Sequence, residues 1–80
     1  MRAGNFSDAF AKILRSERET KGLTQEGLAL KAGLTRQYVG MIERGERKPT
    51  LEASHSLARV LRVPLLALIR ATEAASAKLP

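Results

Sequence analysis

The sequence predicts an all-α fold, a compact domain of five helices in which the second and third are short and steeply crossed. Three observations lead there. Apolar residues recur at helical spacing along most of the chain. A pattern of threonine cap, apolar staple and terminal glycine repeats across its middle. Only Gly33 and Leu34 separate the two short segments so marked.

The first helix follows from Phe6, Phe10, Ile13 and Leu14, which fall on one stripe. Asn5 is a suitable cap, with Asp8 near the positive end of the helix dipole, and Gly22 ends the helix because a left-handed exit costs glycine little. Thr24 then caps a second helix, with Leu23 and Leu28 at staple spacing, and Gly33 closes it after about nine residues. The same signals start again with Thr35 as cap, Leu34 and Val39 as staple, and Gly45 as terminator. Two short helices joined so tightly cannot continue straight, so they cross as a helix-turn-helix over about residues 25–44. Residues 45–50 (GERKPT) form a basic loop, and Thr50 caps the fourth helix after Pro49. Leu51, Leu57, Ala58 and Leu61 are expected on its inner face. Pro64 suits the first turn of a fifth helix over residues 64–76, and the terminal AKLP is expected to fray.

Composition narrows the function. The 80 residues are expected to be one domain, 1–80, and a chain of this size buries only about 60–65% of its unfolded surface. With no cysteine and a single histidine, His55, neither disulfides nor a metal cluster can supplement the core, which leaves helix packing and oligomerisation. Fourteen Lys and Arg against eight Asp and Glu give a net charge of +6. Such a basic surface attracts polyanions. No apolar run is long enough to span a membrane, and the polar N-terminus does not read as a signal peptide. The absence of cysteine suits a reducing cytoplasm. Scattered carboxylates and one histidine offer no catalytic cluster, so no enzyme, cofactor or small-molecule ligand is expected.

The third helix carries the functional argument. At about 100° per residue Val39 and Ile42 point inward, while Arg36, Gln37, Gly40, Met41 and Arg44 spread over the opposite side. That face holds no acid, unlike an ordinary solvated face. Arginine pairs bidentately with guanine and glutamine with adenine in the major groove, and Gly40 would let the helix approach the bases closely. Ala29 is small where the second helix meets the third.

At this point the sequence resembles the Cro/repressor type of helix-turn-helix family. The segments LRSER (14–18), GLTQEGLALKAGLT (22–35), IERGERKPTLE (42–52) and SLARVL (56–61) carry the likeness. Within the family, compact size and the opening of the third helix (Arg36, Tyr38) look most like controller proteins of restriction–modification systems. The resemblance implies a lambda-repressor-like domain that inserts its third helix in the major groove of double-stranded DNA. Arg36, Gln37, Gly40 and Met41 would then face bases. Gln25, Tyr38, Arg44, Arg47 and Lys48 would hold phosphates, Gln25 through its amide and the helix N-terminus. The family pattern also pairs an arginine of the first helix with a glutamate late in the third, here Arg18 and Glu43.

Four departures from the family pattern stand out, the first being that Gly40 removes a side chain that relatives often use for base contact, so that readout rests on fewer residues. Gly27 replaces the usual acid of a capping box, Ser54 stands where a core leucine is common, and Arg62 replaces the usual glycine after the fourth helix. In the fifth helix Leu65, Leu66, Leu68 and Ile69 span about 160°, too broad for one small core. Leu68 and Leu65 are expected to serve the core. The fifth helix is expected to form a homodimer through Leu66 and Ile69, with Leu65 at the edge, matching a palindromic operator. The alternative function is an antitoxin or other protein-interaction module built on the same domain.

Overall fold

The computed structural model describes residues 5–77 and consists there of five helices: α1 (Asn5–Thr20), α2 (Gln25–Ala32), α3 (Arg36–Glu43), α4 (Leu51–Leu61) and α5 (Leu65–Ser76). No strand occurs among the described residues. The side chain of Asn5, expected to cap α1, and residues 78–80 of the AKLP segment expected to fray lie outside what is described.

Each expected threonine cap is made. The N–H groups of Gly27, Tyr38 and Ala53 donate to the hydroxyls of Thr24, Thr35 and Thr50 at 2.9, 3.0 and 3.0 Å. Such caps contribute about 1 kcal/mol each, which matters most for α2 and α3, since eight-residue helices are unstable alone. Gly33 leaves α2 with φ of 73°, and the Leu34 N–H returns to the Ala29 carbonyl at 2.9 Å. This turns the chain within two residues and sets α3 across α2, with Ala29 buried at the crossing.

Phe10 and Leu14 of α1, Leu28 of α2, Val39 and Ile42 of α3, Leu57 and Leu61 of α4 and Leu68 of α5 form one core. The α5 helix packs chiefly on α1 and less on α4. Two apolar expectations fail at helix starts. Phe6 is 44% exposed and Leu51 is 75% exposed. Leu51 is the first residue of α4, ahead of the turns that pack, and Ala53 and Ser54 take the inner positions instead. Ser54 is tolerated there because its hydroxyl donates to the Thr50 carbonyl at 2.9 Å. Thr72, fully buried on α5, is satisfied in the same way by the Leu68 carbonyl at 2.7 Å. Pro64 stands one residue before α5, where its carbonyl accepts from Ala67 and Leu68.

Arg62 ends α4 in the left-handed region, with φ of 61° and ψ of 38°. It is the only such non-glycine among the described residues. A side chain there costs roughly 1–2 kcal/mol, offset in part by the lower unfolded-state entropy of a non-glycine residue. Arg62→Gly should therefore stabilise the protein by about 1 kcal/mol, raising the melting temperature by about 4–8 °C in circular-dichroism melts. A lower melting temperature would mean that the arginine side chain contributes more than its backbone costs.

Candidate nucleic-acid interface

The outward side of α3 begins at its capped end. Arg36 and Gln37, in the first turn, are exposed, and Met41 one turn on is half-buried. Val39 and Ile42 are buried on the opposite side. The orientation of α3 against the rest of the domain is held by its one acid. Glu43 is turned inward, its side chain only 3% exposed. Arg18, from the last turn of α1, donates Nε to Glu43 Oε2 at 2.7 Å and Nη2 to Oε1 at 3.0 Å. Its Nη1 donates to the Leu23 carbonyl at 2.8 Å, closing the α1–α2 turn. The hydrogen bond to Glu43 outweighs desolvation and raises the Arg18 pKa above its ordinary value. No buried side-chain polar atom lacks a partner among the described residues. The expected Arg18–Glu43 pair is present, bidentate and buried.

Gln25 departs from its expected placement. Its amide nitrogen donates to Glu43 Oε1 at 3.0 Å, so the side chain is half-buried in the same network and does not stand out toward a phosphate. The α2 N-terminus beside it still presents the N–H groups that the first turn of any helix leaves outside its own ladder. Gly40 departs too. It is buried, because the direction a Cβ would take is already occupied. A Cβ built there would lie 3.1 Å from Arg44 Nη1 and 3.5 Å from Gln25 Oε1. The middle of the outward face is therefore covered by side chains from positions 25 and 44, and Gly40 offers no open surface of its own.

Arg44 follows the end of α3 and is exposed, but it is engaged with Glu46. Nε reaches Oε2 at 2.9 Å and Nη2 reaches Oε1 at 3.1 Å. Hydrogen bonding between them is the first cause that raises the Arg44 pKa and holds the Glu46 carboxyl below its usual range. Composition and periodicity did not single out Glu46. The only signal was its placement two residues beyond Arg44 in the ERGER run. Tyr38 is half-buried against the core, and its hydroxyl accepts from the Thr50 N–H at 3.3 Å, tying α3 to the start of α4. The guanidinium of Arg47 lies 6.0 Å from the centre of the Tyr38 ring, at the outer limit of a cation–π contact. Arg47 and Lys48 are both exposed on the loop after α3. Arg36, Arg44, Arg47 and Lys48 thus give α3 and its following loop a cationic rim, with Glu46 its exposed acid.

On α5, Leu66 is 61% exposed, whereas Ile69 is half-buried and Leu65 packs partly against the core. No helix among the described residues is long and apolar enough to cross a membrane, and no group of His, Asp and Glu there could hold a metal.

Comparison with known proteins agrees with this geometry. The family described as Helix-turn-helix matches residues 14–68. The chain is 39% identical over 64 residues to an uncharacterized HTH-type transcriptional regulator, y4dJ, of Sinorhizobium fredii, covering 80% of this chain and 78% of that protein. It is 37% identical over 65 residues to the control protein C.SmaI of Serratia marcescens, covering 81% and 77%. Among solved structures, the restriction-modification controller protein C.AhdI of Aeromonas hydrophila superposes with a TM-score of 0.76 at 42% identity, over 78% of this chain and 94% of that one.

Glu43→Gln keeps the shape of the buried network but removes its charge, leaving Arg18 buried beside a neutral partner. Removing one member of a buried pair is strongly destabilising. Because glutamine still accepts one hydrogen bond, the expected loss is about 2–3 kcal/mol, a fall of about 10–20 °C in melting temperature for a domain of this size. An unchanged melting temperature would show that the pair does not hold α1 and α3 together.

Proposed function

Because the chain belongs to the helix-turn-helix family, we propose that it binds double-stranded DNA sequence-specifically, as a small dimeric transcription regulator and the controller of a restriction–modification operon. One observation carries the reading. The only acid of α3 is buried by Arg18, so this short helix and the Arg44 that ends it turn a face of Arg36, Gln37, Met41 and Arg44 to the outside. A face of that composition suits the floor of a major groove, and the cationic loop beside it suits the phosphates at its wall.

In this reading the chain acts as one binding domain with no catalytic step. Arg36 and Gln37, at the capped end of α3, reach base edges, and Met41 makes apolar contact. Arg47 and Lys48 hold phosphates, and Tyr38 braces the loop they stand on. A phosphate would meet the N-terminus of α2, with Gln25 contributing through its position and not through its committed amide. A single α3 covers a half-site. Two copies joined across the outer side of α5, with Leu66 central and Ile69 and Leu65 at its edge, would place two α3 helices in successive major grooves about 34 Å apart. Twofold dimers are the commonest closed assembly.

The test begins with selection of bound duplexes from a random pool, which returns the site and its symmetry. Against that site, Arg36→Ala and Gln37→Ala should each cost about 1–3 kcal/mol of discrimination at one base pair. Lys48→Ala should weaken all duplexes alike and make the salt slope shallower by about 0.9. If Lys48→Ala alters sequence preference while the α3 substitutions leave it intact, this docking of α3 is wrong. In the same series Leu66→Glu should sediment as a monomer at micromolar protein, where the parent sediments as a dimer. A parent that is monomeric there, and indifferent to Leu66→Glu, contradicts the α5 interface.

A further inference from the structure

We propose that Arg44 reads a base edge instead of gripping a phosphate, with Gly40 leaving the space its guanidinium occupies and Glu46 holding it there. The inference rests on the reading of α3 as the groove helix and assigns one further reader to that face. An arginine has five N–H donors in a planar fork. Glu46 takes one from Nε and one from Nη2, binding the guanidinium along its Nε–Nη2 side. Of the three donors that remain, two lie on the Nη1–Nη2 end. That end presents two parallel N–H groups, the arrangement that matches O6 and N7 of guanine.

The location agrees with this. Nη1 lies over Gly40, 3.1 Å from where a Cβ would stand, so the guanidinium is laid back along the outward side of α3 and beside Gln25. A side chain at position 40 would compete for that space. The face therefore receives at its centre a functional group that its own central residue lacks.

Glu46 also decides between the two kinds of acceptor. A phosphate brought to Arg44 would come within a few ångströms of the Glu46 carboxylate and be repelled by it. A guanine edge is neutral and meets no such penalty. Carboxylate buttressing further reduces the rotamer freedom an exposed arginine would lose on binding, which favours a directional contact over a diffuse one.

The experiment measures binding of the selected duplex and each of its single-base variants by the parent, Arg44→Ala, Glu46→Gln, the double variant and Gly40→Ala. Arg44→Ala should lower discrimination about tenfold or more at one G·C pair and leave the other positions unchanged. Glu46→Gln should lower it at that same pair by about threefold, part of the same contact. It should have no effect on discrimination once Arg44 is alanine, although loss of its charge raises affinity for every duplex in both backgrounds. Gly40→Ala should remain folded, since the atom it meets is the mobile end of Arg44, and should lose discrimination at the same pair. Arg44→Ala weakening all duplexes equally, with preference intact, overturns the proposal, as does Glu46→Gln eroding preference in the Arg44→Ala background. A parent protein with no preference for any duplex overturns the DNA-binding reading itself, and this inference with it.

Discussion

The buried pair between Arg18 and Glu43 is the constraint on which the placement of α3 depends. Both α2 and α3 are eight residues long, too short to hold a conformation by backbone hydrogen bonding alone. Apolar packing of Val39 and Ile42 attaches α3 to the core, but greasy contacts tolerate rotation and sliding. The Arg18 fork does not. It meets both oxygens of Glu43 on α3 and the Leu23 carbonyl ahead of α2, while Gln25 adds a contact from α2 itself. Three helices are thereby registered on one carboxylate. Buried ion pairs are weak sources of net stability, yet losing one partner is expensive. That asymmetry suits a device that specifies orientation.

The same pair shapes the electrostatics of the outer face. By drawing the acid of α3 inward, it leaves Arg36, Arg44, Arg47 and Lys48 to dominate the surface, tempered by Glu46. Polar contacts join the Leu23 carbonyl, Arg18, Glu43 and Gln25 in one network, and a separate pair joins Arg44 to Glu46 at the rim. Gly40 is where the two approach, since Arg44 Nη1 and Gln25 Oε1 both border the space a Cβ would take. Its lack of a side chain determines the face by what it admits.

Elements and caps were legible because their causes are local. Thr24, Thr35 and Thr50 each bond a donor three residues away, and Gly33 needs only its own backbone freedom. The Arg18–Glu43 pair was legible through family resemblance, since nothing in the spacing of residues so far apart announces it. What escaped depends on partners distant in sequence or on end effects. Leu51 has the right character but stands ahead of the packed turns. Gln25 looks like a phosphate ligand until Glu43 arrives beside it, and Gly40 looks open until Arg44 folds back over it. Ser54 and Arg62 depart from the family pattern in and after α4, and the structure accommodates them differently: a carbonyl within one turn satisfies the serine, while the arginine accepts a left-handed backbone.

The most direct test is amide chemical-shift mapping of the labelled protein against the duplex recovered by selection. The largest changes are expected on residues 36, 37, 41 and 44–48 and on the first turn of α2, with the outer side of α5 around Leu66 silent because the proposed dimer would cover it. Changes concentrated on α5 or α1, with α3 unperturbed, would contradict the proposed docking.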